Sequence, residues 1–437
     1  MHQVDLTADE LVSALLGLAA SEPVFILDSC RVGHLSSHLL IAGIDPVETL
    51  QLSNSDPEQT LAIVDKRLAE NLACILTISY DFGLKLLGIL PSAKGFSADF
   101  EPDVFLARFD ALVVHDYDSG ITYVGGNTEK YDSISKKLTA NISNFKSEIS
   151  NSQATVTSNF TKSQYLDAIE TIKERIRQGD TYQTNLTQQL SAVLPDDRTP
   201  ESIFNRLRRD HPAPFAAFID RPGSTVISAS PERFFRVDAA GGTITASPIK
   251  GTRPRGTTPA EDKALRSALL TSQKDRAENT MIVDLLRNDL GRICEYGSVR
   301  VERLCDLEEH PTLFHLVSTI KGDLRKNVKL SDILRAVFPC GSITGAPKIS
   351  TMKIINEIEP NARGLSMGSI GYHIPAGFGF PETLDLNVAI RTMVIRGNQA
   401  TFNVGGGIVI DSDPLNEYDE TLVKAKALLN AIGGNFP

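Results

Sequence analysis

Apolar residues recur every third or fourth position in some stretches of the chain and every second position in others, and these two periods divide it into helices and strands. Thr161 and Gln164 have capping-box spacing, and Tyr165, Ile169, Ile172 and Ile176 then share one face before Gly179, which predicts an amphipathic helix. Residues 180–186 read as a strand after it. Alternating runs at 216–219, 225–229 and 234–237, separated by turn residues, predict antiparallel sheet, and the apolar runs 24–27 and 111–114 predict strands earlier in the chain. Three more helices are signalled: Asp275 with Glu278 opening one through Arg287, Pro347 opening another through Ile358, and Asp413-Pro414 opening the last. The last carries an apolar stripe of Leu415, Tyr418, Leu422, Ala425, Leu429 and Ile432. A polar stretch at 147–158 reads as a linker, which predicts an N-terminal domain over 1–150 and a second domain over 155–437. The fold class is α+β, with long antiparallel sheets and outer helices.

Composition narrows the function. The chain has 437 residues, 41% of them hydrophobic, which suits a folded body with an ample core. A formal net charge of −10 offers phosphates no basic footprint and argues against nucleic acid. An anionic small molecule would then need a local positive site or a metal. No apolar run is long enough for a membrane span and no leader is visible, so a cytoplasmic location is expected. Five cysteines, Cys30, Cys74, Cys294, Cys305 and Cys340, are widely spaced without a Cys-x-x-Cys pair, which predicts buried free thiols.

Candidate chemistry begins at Pro248-Ile249-Lys250-Gly251-Thr252, where one amine sits between a residue that stiffens the backbone and one that opens it. Taken alone, Lys250 is a solvated turn lysine as readily as a nucleophile. Glu278 is either a capping residue or a carboxylate facing a metal. Glu417, Glu420 and Lys424 fall within roughly 60° of one another on a helical wheel. They form either a solvated face or a pair of oxygen ligands suited to Mg²⁺. Gly405, Gly406 and Gly407 lie between two apolar runs, 401–404 and 408–410, where glycine marks a bulge or a close ligand approach. The loop 341–348 precedes a helix whose N-terminal end suits an anion. Glu232 and His315 are candidates for proton transfer or polar positioning. Neither a Walker loop nor a Ser-His-Asp signature is present.

Taken in order, 179–183, Ser230-Pro231-Glu232-Arg233-Phe234, 248–252, 275–291, 338–348, Gly368-Ser369-Ile370-Gly371-Tyr372, Ile390-Arg391-Thr392, 405–407 and 417–424 resemble the chorismate-utilising enzymes. The resemblance spans roughly 155–430 and implies an interleaved antiparallel sandwich like that of anthranilate synthase component I. Lysine at 250, where anthranilate synthases typically carry alanine, resembles the aminodeoxychorismate synthase branch. That branch implies conversion of chorismate and ammonia to 4-amino-4-deoxychorismate, in p-aminobenzoate and folate synthesis, with anthranilate or aminodeoxyisochorismate formation as the alternative. It further implies Lys250 as covalent nucleophile at C2, Glu232 as general acid, and Glu278, Glu417 and Glu420 as ligands of Mg²⁺. Arg391, Tyr372, Lys424 and Gly405–Gly407 are implied to hold the enolpyruvyl carboxylate, with Thr344 and His315 near the ring. Gln183 occupies the place of a water-activating lysine in isochorismate-forming relatives. Ser29, with Pro214 and Phe215, resembles part of the family's tryptophan site. Cys340 stands where relatives often have glycine. No glutaminase domain is visible, which implies ammonia from solution or from a separate glutamine amidotransferase subunit.

Overall fold

The computed structural model describes residues 1–33, 38–90, 101–142, 145, 152–238, 242–309 and 313–437. Two antiparallel sheets, of twelve and ten strands, make up the body. Their facing sides share a core in which Phe25 of the larger sheet packs edge-on to Phe109 of the smaller at 5.3 Å between ring centroids, with Ile370 and Val394 in the same cluster. Helices Ala8–Leu18, Pro200–Asp210 and Pro414–Ile432 cover the outer side of the larger sheet. Helices Pro57–Leu68, Gln273–Gly291 and Leu330–Val337 cover that of the smaller. The arrangement is the expected α+β sandwich.

The expected division near residue 150 is a feature of the sequence and not of the cores. Strand Val24–Asp28 pairs with Phe215–Arg221 inside the larger sheet, and Ala73–Ile78 pairs with Ser369–Ile374 inside the smaller. Both sheets therefore take strands from both sides of the proposed boundary. Positions 147–151 of the polar stretch lie outside the described residues, and Thr155–Ser158, expected as linker, forms a strand on Gln183–Val193.

Local signals worked where the partners are close in sequence. Thr161 and Gln164 close the capping box of helix Lys162–Arg177, and Asp413 caps helix Pro414–Ile432 by accepting from the Asn416 amide. Helix Gln273–Gly291 begins earlier than expected, because Ser272, not Asp275, is its N-cap. Leu415, placed on the apolar stripe, is exposed. Of the five thiols, four are buried and Cys30 is half-buried, and all are free.

Candidate active site

Two segments that carry the chain between the sheets bring the first functional groups together. Glu232 lies between strand Ser224–Ser230 of the larger sheet and Arg233–Asp238 of the smaller. Arg391 lies on the return path, between Thr383–Asn387 and Thr392–Arg396. The main chain holds both in place, with the Val388 amide donating to the Glu232 carbonyl and the Ala229 amide to that of Arg391, each at 3.0 Å. Arg391 has a positive φ of 49°, which a side-chain-bearing residue adopts at a cost.

Glu232 is 4% exposed, and its Oε1 has no hydrogen-bond partner. Burial raises its pKa to about 7, against the opposing pull of the Ser342 hydroxyl and the Lys250 ammonium. A carboxyl group poised there can give up a proton near neutral pH.

Lys250 is on strand Ile249–Pro254, whose register on Leu313–Asp323 slips between Ile249 and Thr252. Gly251 adopts φ 91° within this irregularity, and such bulges re-aim side chains. The Lys250 ammonium lies 3.5 Å from where a Cβ on Gly407 would sit, and its charge is felt by Glu232, Glu278 and Glu420. Arg253 and Arg255, close in sequence, are engaged elsewhere, with Asp275 at 2.9 Å and Asp262 at 2.8 Å. His315 faces the same strand, sharing a 2.9 Å hydrogen bond with the Thr252 hydroxyl.

The carboxylates come from two helices. Glu278 on Gln273–Gly291 and Glu417 on Pro414–Ile432 meet across Lys274, whose ammonium is 3.9 Å from the first and 3.3 Å from the second. Burial raises the pKa of Glu278, and Asp275 and Glu417 add to this, although Lys250 and Lys274 oppose it. Glu417 is buried and accepts from Ser412 at 2.7 Å. Burial also pushes Glu420 upward, but Lys424 at 2.6 Å outweighs it, and the net displacement is downward. Glu278 is half-buried, Glu417 buried and Glu420 exposed, and the three carboxylates form an oxygen-rich donor set suited to a hard cation, so the residues fit Mg²⁺. Among the described residues, the set whose ligand atoms all lie within 4.8 Å is a different one, His38, Asp116 and Asp118.

The glycine triplet does not separate two strands as expected, because Gln399–Ile408 is one strand running through it. Gly405, Gly406 and Gly407 pair with Thr187, Leu186 and Asn185 on one edge, while strand Thr392–Arg396 pairs on the other only as far as Thr401. The open edge leaves backbone groups available to a ligand. Gly405 is sterically required, Gly407 only as long as the Gln183 amide stays in place, and Gly406 not at all. A Cβ on Gly405 would fall on the Leu186 carbonyl oxygen, one on Gly406 would lie 3.4 Å from a Glu417 oxygen and 3.6 Å from the Lys424 ammonium, and one on Gly407 would lie 2.5 Å from Gln183 Nε2. Gln183 is fully buried, and neither end of its amide has a partner. Lys424 donates to the Gly405 carbonyl at 3.0 Å.

Thr344 belongs to the turn beside Glu232 and is buried, with its hydroxyl donating to the Cys340 carbonyl. Tyr372 departs from expectation. It lines a cavity of about 70 Å³ between the sheets with Ser29, Pro214 and Phe215, on the face of Ser369–Ile374 that packs against the inter-sheet core. That cavity is well below the ~300 Å³ at which ligand pockets begin. Motif reading missed Lys274, Ser342 and Ser412, and also Arg363. The Arg363 guanidinium pairs with Glu359 at 2.7 Å, donates to the carbonyls of Ile343 and Asn185, and so ties the Thr344 turn to the Gln183 strand.

Residues 22–430 match the family described as chorismate binding enzyme. An aminodeoxychorismate synthase of Streptomyces griseus is 46% identical over 62% of this chain and 37% of its own length. The aminodeoxychorismate synthase component 1 of Bacillus subtilis is 35% identical over 93% of this chain and 91% of its own. An anthranilate synthase component 1 of Haloarcula marismortui is 46% identical over 64% and 54%. The chain thus spans about a third to a half of the length of the Streptomyces and Haloarcula relatives. Among solved structures, anthranilate synthase component I of Streptococcus pneumoniae superposes with a TM-score of 0.76 at 28% identity, over 91% of this chain and 93% of that one.

Proposed function

The chain belongs to the chorismate binding enzyme family, and from that premise we propose that it converts chorismate and ammonia to 4-amino-4-deoxychorismate. The observation that carries this reading is the position of the Lys250 ammonium, beside Gly407 and within the fields of Glu232 and Glu278. In the proposed sequence, the Lys250 side-chain nitrogen gives up a proton and forms a bond to C2 of the ring. The ring double bonds shift, and the C4 hydroxyl leaves as water with the proton that Glu232 supplies. Ammonia then bonds to C4, the double bonds shift back, the C2–Nζ bond breaks with its electrons returning to the lysine nitrogen, and the new ammonium returns a proton to Glu232. The sum is chorismate plus ammonia giving the amino compound plus water.

Arg391, whose side chain makes no ion pair among the described residues, and the open edge at Gly405–Gly407 suit the enolpyruvyl carboxylate, with Lys424 beside them. Glu278, Glu417 and Glu420 suit Mg²⁺, which when bound offsets the charge of the ring carboxylate. The amide of Gln183 is a neutral neighbour for ammonia and cannot take a proton from water as a lysine base would. No helix of the described residues is long and apolar enough to cross a membrane, which suits a cytoplasmic enzyme. Ammonia comes from solution or from a separate glutaminase subunit. The main competing reading, anthranilate formation, is favoured by the Haloarcula relative.

Mass analysis of the product made from chorismate, ammonium and Mg²⁺ separates the two. The native chain should give 4-amino-4-deoxychorismate, and Lys250→Ala should lose it or divert it to anthranilate. An unchanged product at an unchanged rate in Lys250→Ala would remove the covalent role.

A further inference from the structure

Lys274 is the second residue of helix Gln273–Gly291. A cation is poorly placed in the first turn of a helix, where the amides without partners carry partial positive charge. Its neighbour one turn on, Glu278, follows it in the less favourable order for a pair four residues apart. Local structure therefore does not account for the position of this ammonium. The nearer carboxylate belongs to the other helix: Lys274 Nζ donates to Glu417 Oε1 at 3.3 Å, against 3.9 Å to Glu278. The same Oε1 accepts from Ser412, whereas Oε2 lies 3.4 Å from where a Cβ on Gly406 would sit. Lys274 thus contacts one oxygen of Glu417 and leaves the other to a ligand, so its effect on a bound cation is exerted through charge.

The charges around the three carboxylates already cancel. Lys424 lies 2.6 Å from Glu420, Lys274 contacts Glu417 and Glu278, and Lys250 acts on Glu278 and Glu420. Asp275, in the same turn as Lys274, is neutralised by Arg253 at 2.9 Å. A divalent cation entering this set therefore meets three ammonium groups as well as three carboxylates. Lys250 and Lys424 have tasks in the proposed reaction, one as nucleophile and the other beside the enolpyruvyl carboxylate. Lys274 has none, and its side chain is half exposed.

We propose that Lys274 sets the metal affinity of this site, its ammonium being a resident countercharge that opposes Mg²⁺ at Glu417 and Glu278 and keeps the ion exchangeable. This role rests on the metal site proposed above. A lysine that served only to orient Glu417 would have the opposite effect, because removing such a support weakens metal binding.

The test is a titration of the full chain with Mn²⁺, followed by electron paramagnetic resonance at low salt, without chorismate or ammonia. The native chain should bind one Mn²⁺ that Mg²⁺ displaces. Lys274→Met and the polar but uncharged Lys274→Gln should each bind it about fivefold or more tightly, the effect of removing an ammonium ~8 Å from a dication in water. Lys274→Arg, which keeps the charge, should stay within about twofold of the native affinity. Unchanged or weaker binding in both uncharged variants, or equal tightening in Lys274→Arg, would overturn the role of Lys274 and leave the metal site standing. Native affinity in Glu417→Gln, or no saturable binding in the native chain and the uncharged variants alike, would remove the metal site itself and this role with it.

Discussion

Replacing Glu232 with glutamine should trade catalysis for stability, in a way that depends on pH. In the folded protein the carboxyl titrates near 7, against an ordinary value of 4.5. The folded pKa is the higher one, so the group contributes fully below pH 4.5, where both states are protonated. That contribution is lost as pH rises through 7, because the unfolded chain ionises first while the folded chain must keep the proton or bury a charge. The gap corresponds to about 3 kcal/mol of preference for the protonated form, of which about 2 to 3 kcal/mol develops between pH 5 and 8.5. Glutamine has nearly the same shape and does not titrate. Urea unfolding of both proteins at the two pH values should therefore show the variant gaining about 2 to 3 kcal/mol on the native chain as pH rises. Its product formation should fall about 10²- to 10⁴-fold, as expected when a general acid is removed. Glu278, which also titrates high, is common to both proteins and cancels in the comparison. A stability difference that stays constant across this range would refute the buried acid, whatever the effect on rate.

Other positions separate the site from its supports. Gly407→Ala places a methyl group against the Gln183 amide, the end of a side chain that can move, so activity should drop while the thermal midpoint stays within a few degrees. Gly405→Ala meets the Leu186 backbone oxygen and should cost about 1 to 3 kcal/mol in chemical denaturation. Glu417→Gln should raise the Mg²⁺ concentration for half-maximal activity by about tenfold or more, read from a metal titration after chelation. Arg363→Met leaves Glu359 buried without its partner and should cost about 3 to 5 kcal/mol in the unfolding free energy.

Elements whose determinants lie within a turn of one another were legible in the sequence. The capping box at Thr161 and the Asp413-Pro414 start are both read from residues less than four positions apart. The glycine triplet was misplaced for the opposite reason. Its glycines answer to Leu186, Gln183, Glu417 and Lys424, and the sequence alone does not show that these lie opposite. Tyr372 belongs to one of the sequence motifs, yet strand parity sets it against the small inter-sheet cavity. Lys274 and Ser412 lie far from Glu417 or outside its motif in the sequence, and folding sets both against it. Proximity in the chain identified the groups capable of chemistry, and long-range pairing decided which of them meet.

The sharing of both sheets by the first and later parts of the chain also limits how this protein can be cut or rebuilt. A fragment beginning after the polar stretch would lack Val24–Asp28 and Ala73–Ile78, so Phe215–Arg221 and Ser369–Ile374 would each lose a pairing partner. Their newly open edges carry apolar residues such as Phe218, Ile219 and Ile370, the kind of surface that recruits strands from other molecules. Such a fragment would retain nearly every residue assigned to the reaction and would still aggregate. Any recombination of this enzyme with another chain is therefore better made at its termini than at the junction its sequence suggests.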